Sequence, residues 1–341
     1  MEVFARKPAA NTLSSGPVAQ VARTVQVHLD EVEKRIKQQA AEFDPAVEGY
    51  VTYAIGGQGK RLRPLVTLLS GGATGEITES HLDLAVVLEL IHVATLVHDD
   101  IMDEAERRRG QPTVNARWGN ALSVLVGDCL FAQALSLSTN FNNGAISRSI
   151  AQAARDVCSG EIIQTQRRFD LHLAIDDYLR IVEMKTGALF AVAAELGGVV
   201  NEVPPATARM LKQFGMKVGT AYQIYDDCLD IAGNESVIGK TLGTDLRKGK
   251  LTLPVLLLLR SASAVEREQY CRFIVEGKAD EMTELLRNDA AGAPLTAAID
   301  AGTSLLAEAH RDLDVLPANA HAESLGQLCE ALRDLLEQLH G

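Results

Sequence analysis

The sequence predicts an all-α fold in one large helical domain. Apolar residues recur at helical spacing almost from end to end. Hydrophobic residues make up 47% of the 341, aromatic residues only 4%, with Ala and Leu dominant, a composition that suits helix-on-helix packing. Alternating strand patterns with Asn-Gly or Asp-Gly turns are absent. No Pro/Gly/Ser-rich break divides two compositions, so 18–341 reads as one domain behind a disordered tail at 1–17.

The helices follow in order. Residues 18–43 read as an amphipathic helix and 45–54 as a short second one. The stretch 56–64 is a Gly-rich loop that opens the next helix, with Pro64 suited to a first turn. Residues 79–103 form a long helix apolar on most faces, which places it at the centre of the bundle. Helices at 120–137 and 145–170 follow, then one at 177–198 that stops at Gly197-Gly198. A helix at 205–230, another at 251–261 and several shorter ones complete the chain.

Two of these helices end in the same string, Asp99-Asp100-Ile-Met-Asp103 and Asp226-Asp227-Cys-Leu-Asp230. Residues four apart on a helix stack on one side, and the adjacent residue lies about 100° round. Each copy thus gathers carboxylates that repel one another and raise each other's pKa unless a cation is present. Carboxylates without His or Cys suit a hard, oxygen-seeking ion, Mg²⁺. Two facing clusters would hold a small set of such ions around a diphosphate. The motifs lie 127 residues apart, about 190 Å along one straight helix, so the chain must fold back to bring them together. Acidic groups at helix C-termini also oppose the macrodipole, the kind of local conflict found where function overrides stability.

Net charge is −12, which disfavours nucleic acid as a partner. The basic residues are nonetheless grouped: Lys60, Arg61 and Arg63; Arg107, Arg108 and Arg109; Arg247, Lys248 and Lys250. That pattern fits a small anionic substrate. Five scattered cysteines without metal spacing read as buried free thiols in a reducing, cytoplasmic setting. Cys228, inside the second motif, is read as core, Arg107 as solvated surface, and His98 and Trp118 as packing residues. The expectation is that no segment spans a membrane.

With these residues in place, the chain resembles the trans-isoprenyl diphosphate synthases (polyprenyl synthetases). His98–Asp103 through Arg108-Arg109-Gly110-Gln111-Pro112-Thr113 resembles their first aspartate-rich region, and Gly59-Lys60-Arg61-Leu62-Arg63-Pro64 their Gly-Lys-x-x-Arg-Pro element. Lys185-Thr186, Gln223-Ile-Tyr-Asp226-Asp227-x-x-Asp230, Gly239-Lys240 and 243–254 match further family elements in the same order. The likeness runs from about residue 20 to 260. It implies a bundle of antiparallel helices of the isoprenoid synthase type around a central cavity, working as a homodimer. The implied reaction condenses isopentenyl diphosphate with an allylic diphosphate, farnesyl or geranylgeranyl, head to tail, and releases pyrophosphate. The family's released pyrophosphate is thought to take the final proton. A terpene cyclase would carry a different second motif, and a non-catalytic subunit would lack carboxylates or cations that are all present here.

On that resemblance, Asp99, Asp103 and Asp226 are expected to ligate up to three Mg²⁺ ions, with Asp100, Asp227 and Asp230 acting directly or through metal-bound water. Arg108, Lys185, Lys240 and Lys250 are expected on the allylic diphosphate. Thr186 and Gln223 would place oxygens near the developing cation. Lys60, Arg63, His92 and Arg109 would form a metal-free cationic site for isopentenyl diphosphate. The growing tail needs an apolar tunnel below Asp99, and one helix turn of about 5.4 Å approximates one isoprene unit. Ala94 and Thr95, then Ile91, then Leu88, are the chain-length positions. Short-chain family members carry aromatic residues at the first of these. Their absence predicts products of about C30 to C50, against an alternative of C20 to C25, with passing membrane contact on product release.

Overall fold

The computed structural model describes residues 16–57, 59–233, 243–288 and 293–340. The described part is helical throughout apart from one small hairpin. The chain opens with α1 (Pro17–Ala22), a short 3₁₀ turn, α2 (Gln26–Gln38) and α3 (Pro45–Ile55). The predicted helix at 18–43 is thus interrupted at 23–25, where Val25 leaves the helical region at φ −123°. Helices α4 (Leu62–Thr74) and α5 (Glu79–Met102) follow, with Pro64 in the first turn of α4.

Two-residue strands β1 (Arg107–Arg108) and β2 (Gln111–Pro112) then pair antiparallel. Alternation could not reveal so short a hairpin. It turns on Arg109 and Gly110, both at positive φ (52° and 79°), the turn that fits strand twist. Next come α6 (Val114–Trp118), α7 (Asn120–Ser138), α8 (Gly144–Gln166), α9 (Ile175–Val182), α10 (Ala188–Val199) and α11 (Pro205–Ala232). The segment predicted as one helix at 177–198 is broken by a π turn, Glu183–Gly187.

Beyond lie α12 (Thr244–Arg247), α13 (Leu253–Ser261), α14 (Ala264–Val275), α15 (Ala279–Asn288), α16 (Ala293–Asp312) and α17 (Ala320–Glu337). The last two are long, not short as the sequence suggested. They pack on α11 and α4 and so close the far side of the bundle.

Helix α5 is buried on nearly all faces, as its composition predicts. It packs against α7, α4 and α2. Its N-terminus is held by His81: the Thr78 backbone N–H donates to Nδ1 at 3.0 Å, and Nε2–H donates to the Gly197 carbonyl at 2.9 Å. Helices α10 and α11 approach closely because Gly215 faces the Phe190 carbonyl, where an added Cβ would sit 2.3 Å away. Both α5 and α7 are long and apolar enough to cross a membrane by length and composition alone, and α5 is 72% buried inside the bundle and α7 33%. All five cysteines are free; Cys228 and Cys329 are buried, while Cys158 is exposed and Cys129 and Cys271 are half-buried, so burial holds for only part of the set. Trp118 packs edge-on against Tyr50 and Tyr53. His98 stacks on Phe131 and lies against Gly127, bonded to the Val124 carbonyl at 3.2 Å.

Candidate active site

A cavity opens where the C-terminal ends of α5 and α11 meet the π turn, α8 and the loop before α4. Its wall carries Asp99 and Asp226, one from each acidic motif, with Lys185, Thr186, Gln223, Arg108, Arg109, Lys60, Arg63 and His92. The fold thereby brings together residues that lie as far apart in the chain as Lys60 and Asp226.

The six motif carboxylates do not behave alike. Asp99 faces the cavity; burial first, and then Glu161, push its carboxyl up to about 6 against the pull of Lys185, whose Nζ lies 3.9 Å away. Asp100 is turned about a third of a helix turn from it. There it is 5% exposed and gripped by Arg108, with Nε at 2.9 Å and Nη2 at 2.7 Å from Oδ1. Asp103 accepts from Lys250 at 2.9 Å and Arg168 at 3.1 Å. Burial would raise its pKa, but Lys250 and its neighbours outweigh that and hold the carboxyl below the usual range.

In the second motif Asp226 faces the cavity. Asp227 points inward, accepting from Tyr178 at 2.6 Å and Gln223 at 2.8 Å. Burial, with Asp245 adding to it, raises its carboxyl to about 7. Asp230 accepts from the Thr244 hydroxyl at 3.0 Å and the Asp245 backbone N–H at 3.1 Å, tying α11 to the start of α12.

Lys185 and Thr186 sit on the π turn, an irregularity often found at functional sites. Gly160 of α8 permits it, since a Cβ there would lie 2.8 Å from the Lys185 nitrogen. Lys185 pairs with Glu161 and donates to Gln164 at 2.8 Å. Burial alone would lower its pKa, but Asp99 and Glu161 raise it, so the ammonium stays charged. Thr186 donates to the Gln223 side-chain oxygen at 2.7 Å, while Gln223 donates on to Asp227.

On the opposite wall, Lys60 donates to the Tyr222 hydroxyl at 3.1 Å, and the Arg63 guanidinium stacks 4.8 Å above the Phe190 ring. His92 is not one of this wall's cations. Burial, then Arg63 and Arg109, hold its pKa well below the usual value, so the ring is neutral. Lys240 lies outside the described residues. Lys250 is 8% exposed and reaches Asp103, not the cavity wall.

Of the chain-length positions only Thr95 lines the cavity, beside Leu96, Val157 and Leu189. Ala94, Ile91 and Leu88 are fully buried in helix packing. The predicted wall is therefore rotated by about one residue, some 100°. Sequence reading missed Glu161, Glu89, Tyr222, Tyr178 and Arg168. Glu161 and Glu89 left a signal, because each is an acid on the apolar, buried side of its helix (Ala153, Val157, Glu161; Ala85, Glu89).

Among the described residues no three His, Cys, Asp or Glu side chains converge on one point. That donor set fits a hard divalent ion that takes one or two carboxylates and fills its remaining positions with water and phosphate oxygens. Two cavity-facing carboxylates on opposite helices, one with its proton affinity raised by burial, supply what such an ion would neutralise.

Comparison with known proteins gives one answer. Residues 44–288 match the family model described as polyprenyl synthetase. The chain is 34% identical over 232 residues to the octaprenyl diphosphate synthase of Escherichia coli (strain K12), covering 68% of this chain and 72% of that protein. It is 32% identical over 302 residues to heptaprenyl diphosphate synthase component 2 of Bacillus subtilis (strain 168), covering 89% and 86%. A polyprenyl synthase from Caulobacter crescentus CB15, solved with calcium and isoprenyl diphosphate, superposes with a TM-score of 0.86 at 33% identity, covering 96% of this chain and 99% of that one.

Proposed function

This chain belongs to the polyprenyl synthetase family, and we propose that its cavity makes long all-trans products, about C30 to C50, from isopentenyl diphosphate and an allylic diphosphate such as farnesyl or geranylgeranyl diphosphate. The chain is a prenyltransferase, a trans-polyprenyl diphosphate synthase with the all-α fold of that family. The observation that carries the site assignment is the meeting of Asp99 and Asp226 across one cavity with cations on both sides.

In the reaction the allylic C–O bond breaks and diphosphate leaves with the electron pair. The isopentenyl double bond attacks the allylic cation, a C–C bond forms, and loss of a proton restores a double bond. Bound Mg²⁺ would supply Lewis acidity to the leaving diphosphate, held by Asp99 and Asp226 with Asp103 beside them. Calcium stands with isoprenyl diphosphate in the Caulobacter relative. Lys185 and Arg108 line the cavity and take the allylic diphosphate, Lys185 kept charged by Glu161 and Arg108 held by Asp100. Lys250 and Lys240 serve the same end less directly, Lys250 by neutralising Asp103. Thr186 spends its hydroxyl proton on Gln223, so its oxygen offers lone pairs rather than a donor to a nearby cation. Lys60, Arg63 and Arg109 receive isopentenyl diphosphate, and neutral His92 contributes an N–H donor rather than charge. Asp227 and Asp230 act from behind, by orienting Gln223 and by tethering α12.

Long products are supported by relatives named for octaprenyl and heptaprenyl diphosphate and by the small Thr95 beside the apolar Leu96, Val157 and Leu189. A cytoplasmic site of action is supported by the five free thiols. The single-domain reading, 18–341, rests on α16 and α17 packing back onto α11 and α4.

The test is incubation of purified protein with Mg²⁺, labelled isopentenyl diphosphate and farnesyl diphosphate, followed by sizing of the products. Products of C30 or longer are expected, and Thr95→Phe shortens them. Products ending at C20 to C25 overturn the long-chain reading. No turnover with any allylic primer would mean that a partner subunit is required, as the name of the Bacillus component suggests for that protein.

A further inference from the structure

The isopentenyl side of the cavity contains a carboxylate where an anion is to bind. Glu89 lies on α5 three residues before His92, lines the cavity and is 2% exposed. Its Oε1 accepts from Arg61 Nη1 at 2.7 Å, while Oε2 is buried without a hydrogen-bond partner. A buried charged oxygen left unpaired is costly, so its presence calls for a reason.

Arg61 sits between Lys60 and Arg63 in the loop but is already committed. It adopts a left-handed conformation at φ 50° in front of α4, and its Nε donates to Glu33 at 2.8 Å. Arg63, by contrast, is 7% exposed with its Nε buried and unpaired. Arg109 hangs from the positive-φ hairpin turn and comes close to Arg61 above Gly59. Burial works against the charge on both Arg63 and Arg109, joined at Arg109 by repulsion from Arg108, and the Glu89 carboxylate favours the charge on each.

We propose that Glu89, anchored by Arg61, is a positioning residue of the isopentenyl diphosphate pocket, its charge supporting the guanidinium groups of Arg63 and Arg109 that line the same cavity and receive the diphosphate. The inference rests on the assignment of that pocket made above. Three guanidinium groups crowded into a buried wall repel one another before substrate arrives. One fixed negative charge in the same wall offsets that repulsion and lets the guanidinium groups stay close together. With Arg61, Arg63 and Arg109 around the one carboxylate the wall stays net positive, so Glu89 does not turn the incoming anion away.

The test is steady-state kinetics of Glu89→Gln with each substrate varied in turn. The substitution keeps shape and an acceptor for Arg61 but removes the charge. KM for isopentenyl diphosphate is expected to rise about tenfold, with KM for the allylic primer within about twofold of the parent. Glu89→Asp should recover part of the loss. In the double variant Arg61→Gln/Glu89→Gln, which removes the buried ion pair as a unit, leaves Lys37 beside Glu33 and guards against misfolding of the single one, the defect should persist. Recovery of normal KM there would mean that Glu89 serves only to satisfy Arg61, and the proposal fails. An unchanged or lower KM for isopentenyl diphosphate in Glu89→Gln also overturns it. Arg109→Lys separates the two levels. If it raises KM for isopentenyl diphosphate while Glu89→Gln does not, the pocket stands and Glu89 is misassigned. If neither moves it, the pocket assignment itself is wrong.

Discussion

Asp226 and Asp230 are identical residues four apart on one helix, yet their surroundings give them different work. Asp226 faces the cavity, whereas Asp230 is 3% exposed and spends both oxygens on Thr244 and the Asp245 backbone. Asp226→Asn should lower kcat on the order of 10²- to 10³-fold with little change in the thermal midpoint. Asp230→Asn should cost about 1–2 kcal/mol of stability, read by urea unfolding, because a charge-accepting bond to backbone is lost. A second residue-scale expectation concerns His81. Its Nδ1 accepts and its Nε2–H donates, so only the neutral ring fits, and burial lowers its pKa. The unfolded ring titrates near 6.5, so below that pH the unfolded chain binds a proton that the folded chain refuses. Stability should therefore fall as pH drops from 6.5 toward the folded pKa, by at most about 1.4 kcal/mol per pH unit, and be indifferent to this group above 6.5. Urea midpoints at pH 7.5 and 5.5 check it, and His81→Gln should flatten the slope.

The π turn is the irregular piece of the cavity wall. It replaces regular helix between α9 and α10 and carries Lys185 and Thr186 into the cavity, and it can do so only because Gly160 lets α8 come near. Gly160→Ala would place a methyl 2.8 Å from the Lys185 nitrogen and 2.9 Å from the Met184 Cβ. Displacement of the turn should reduce kcat about tenfold or more, because small misplacement of a positioned group is expensive. Gly215→Ala, also at a tight helix contact but against the Phe190 carbonyl, is the matched comparison. It should cost about 1–3 kcal/mol in denaturant unfolding through overpacking.

For the whole molecule, the outer face of α7 stands out. Val124, Leu125 and Leu135 are 43%, 59% and 40% exposed. Asp128 is the only charged residue in the nineteen of α7. A stripe this apolar, on a helix that the bundle covers by only a third, suits a second copy of the same helix across a two-fold axis. The expected homodimer should dissociate when Leu125 is changed to Asp, with the mass in sedimentation or light scattering halving. An unchanged mass places the interface elsewhere, and a wild-type monomer removes it.

Much of the bundle and half of the catalytic constellation were legible in the chain itself. Helical periodicity located α5, α7, α8 and α11, and the two Asp-Asp-x-x-Asp strings with the grouped cations pointed to residues that meet in one cavity. Such features are local, because spacing along a helix decides which side a residue faces. Which carboxylate of each string meets the cavity was not local. The family resemblance separated Asp99, Asp103 and Asp226 from Asp100, Asp227 and Asp230, but the physical reason, the neighbours Arg108, Tyr178 and Thr244 that reach the second group, is visible only in the fold. That Thr95 and Leu96 rather than Ala94 line the cavity was set by how α5 is rotated against α8 and α10. The neutral state of His92 and the raised carboxyl of Asp99 come from burial, which exists only once distant helices have closed around them. Helix spacing made the reactive residues readable in advance, whereas long-range packing, through desolvation and partner choice, decided which of them the cavity uses.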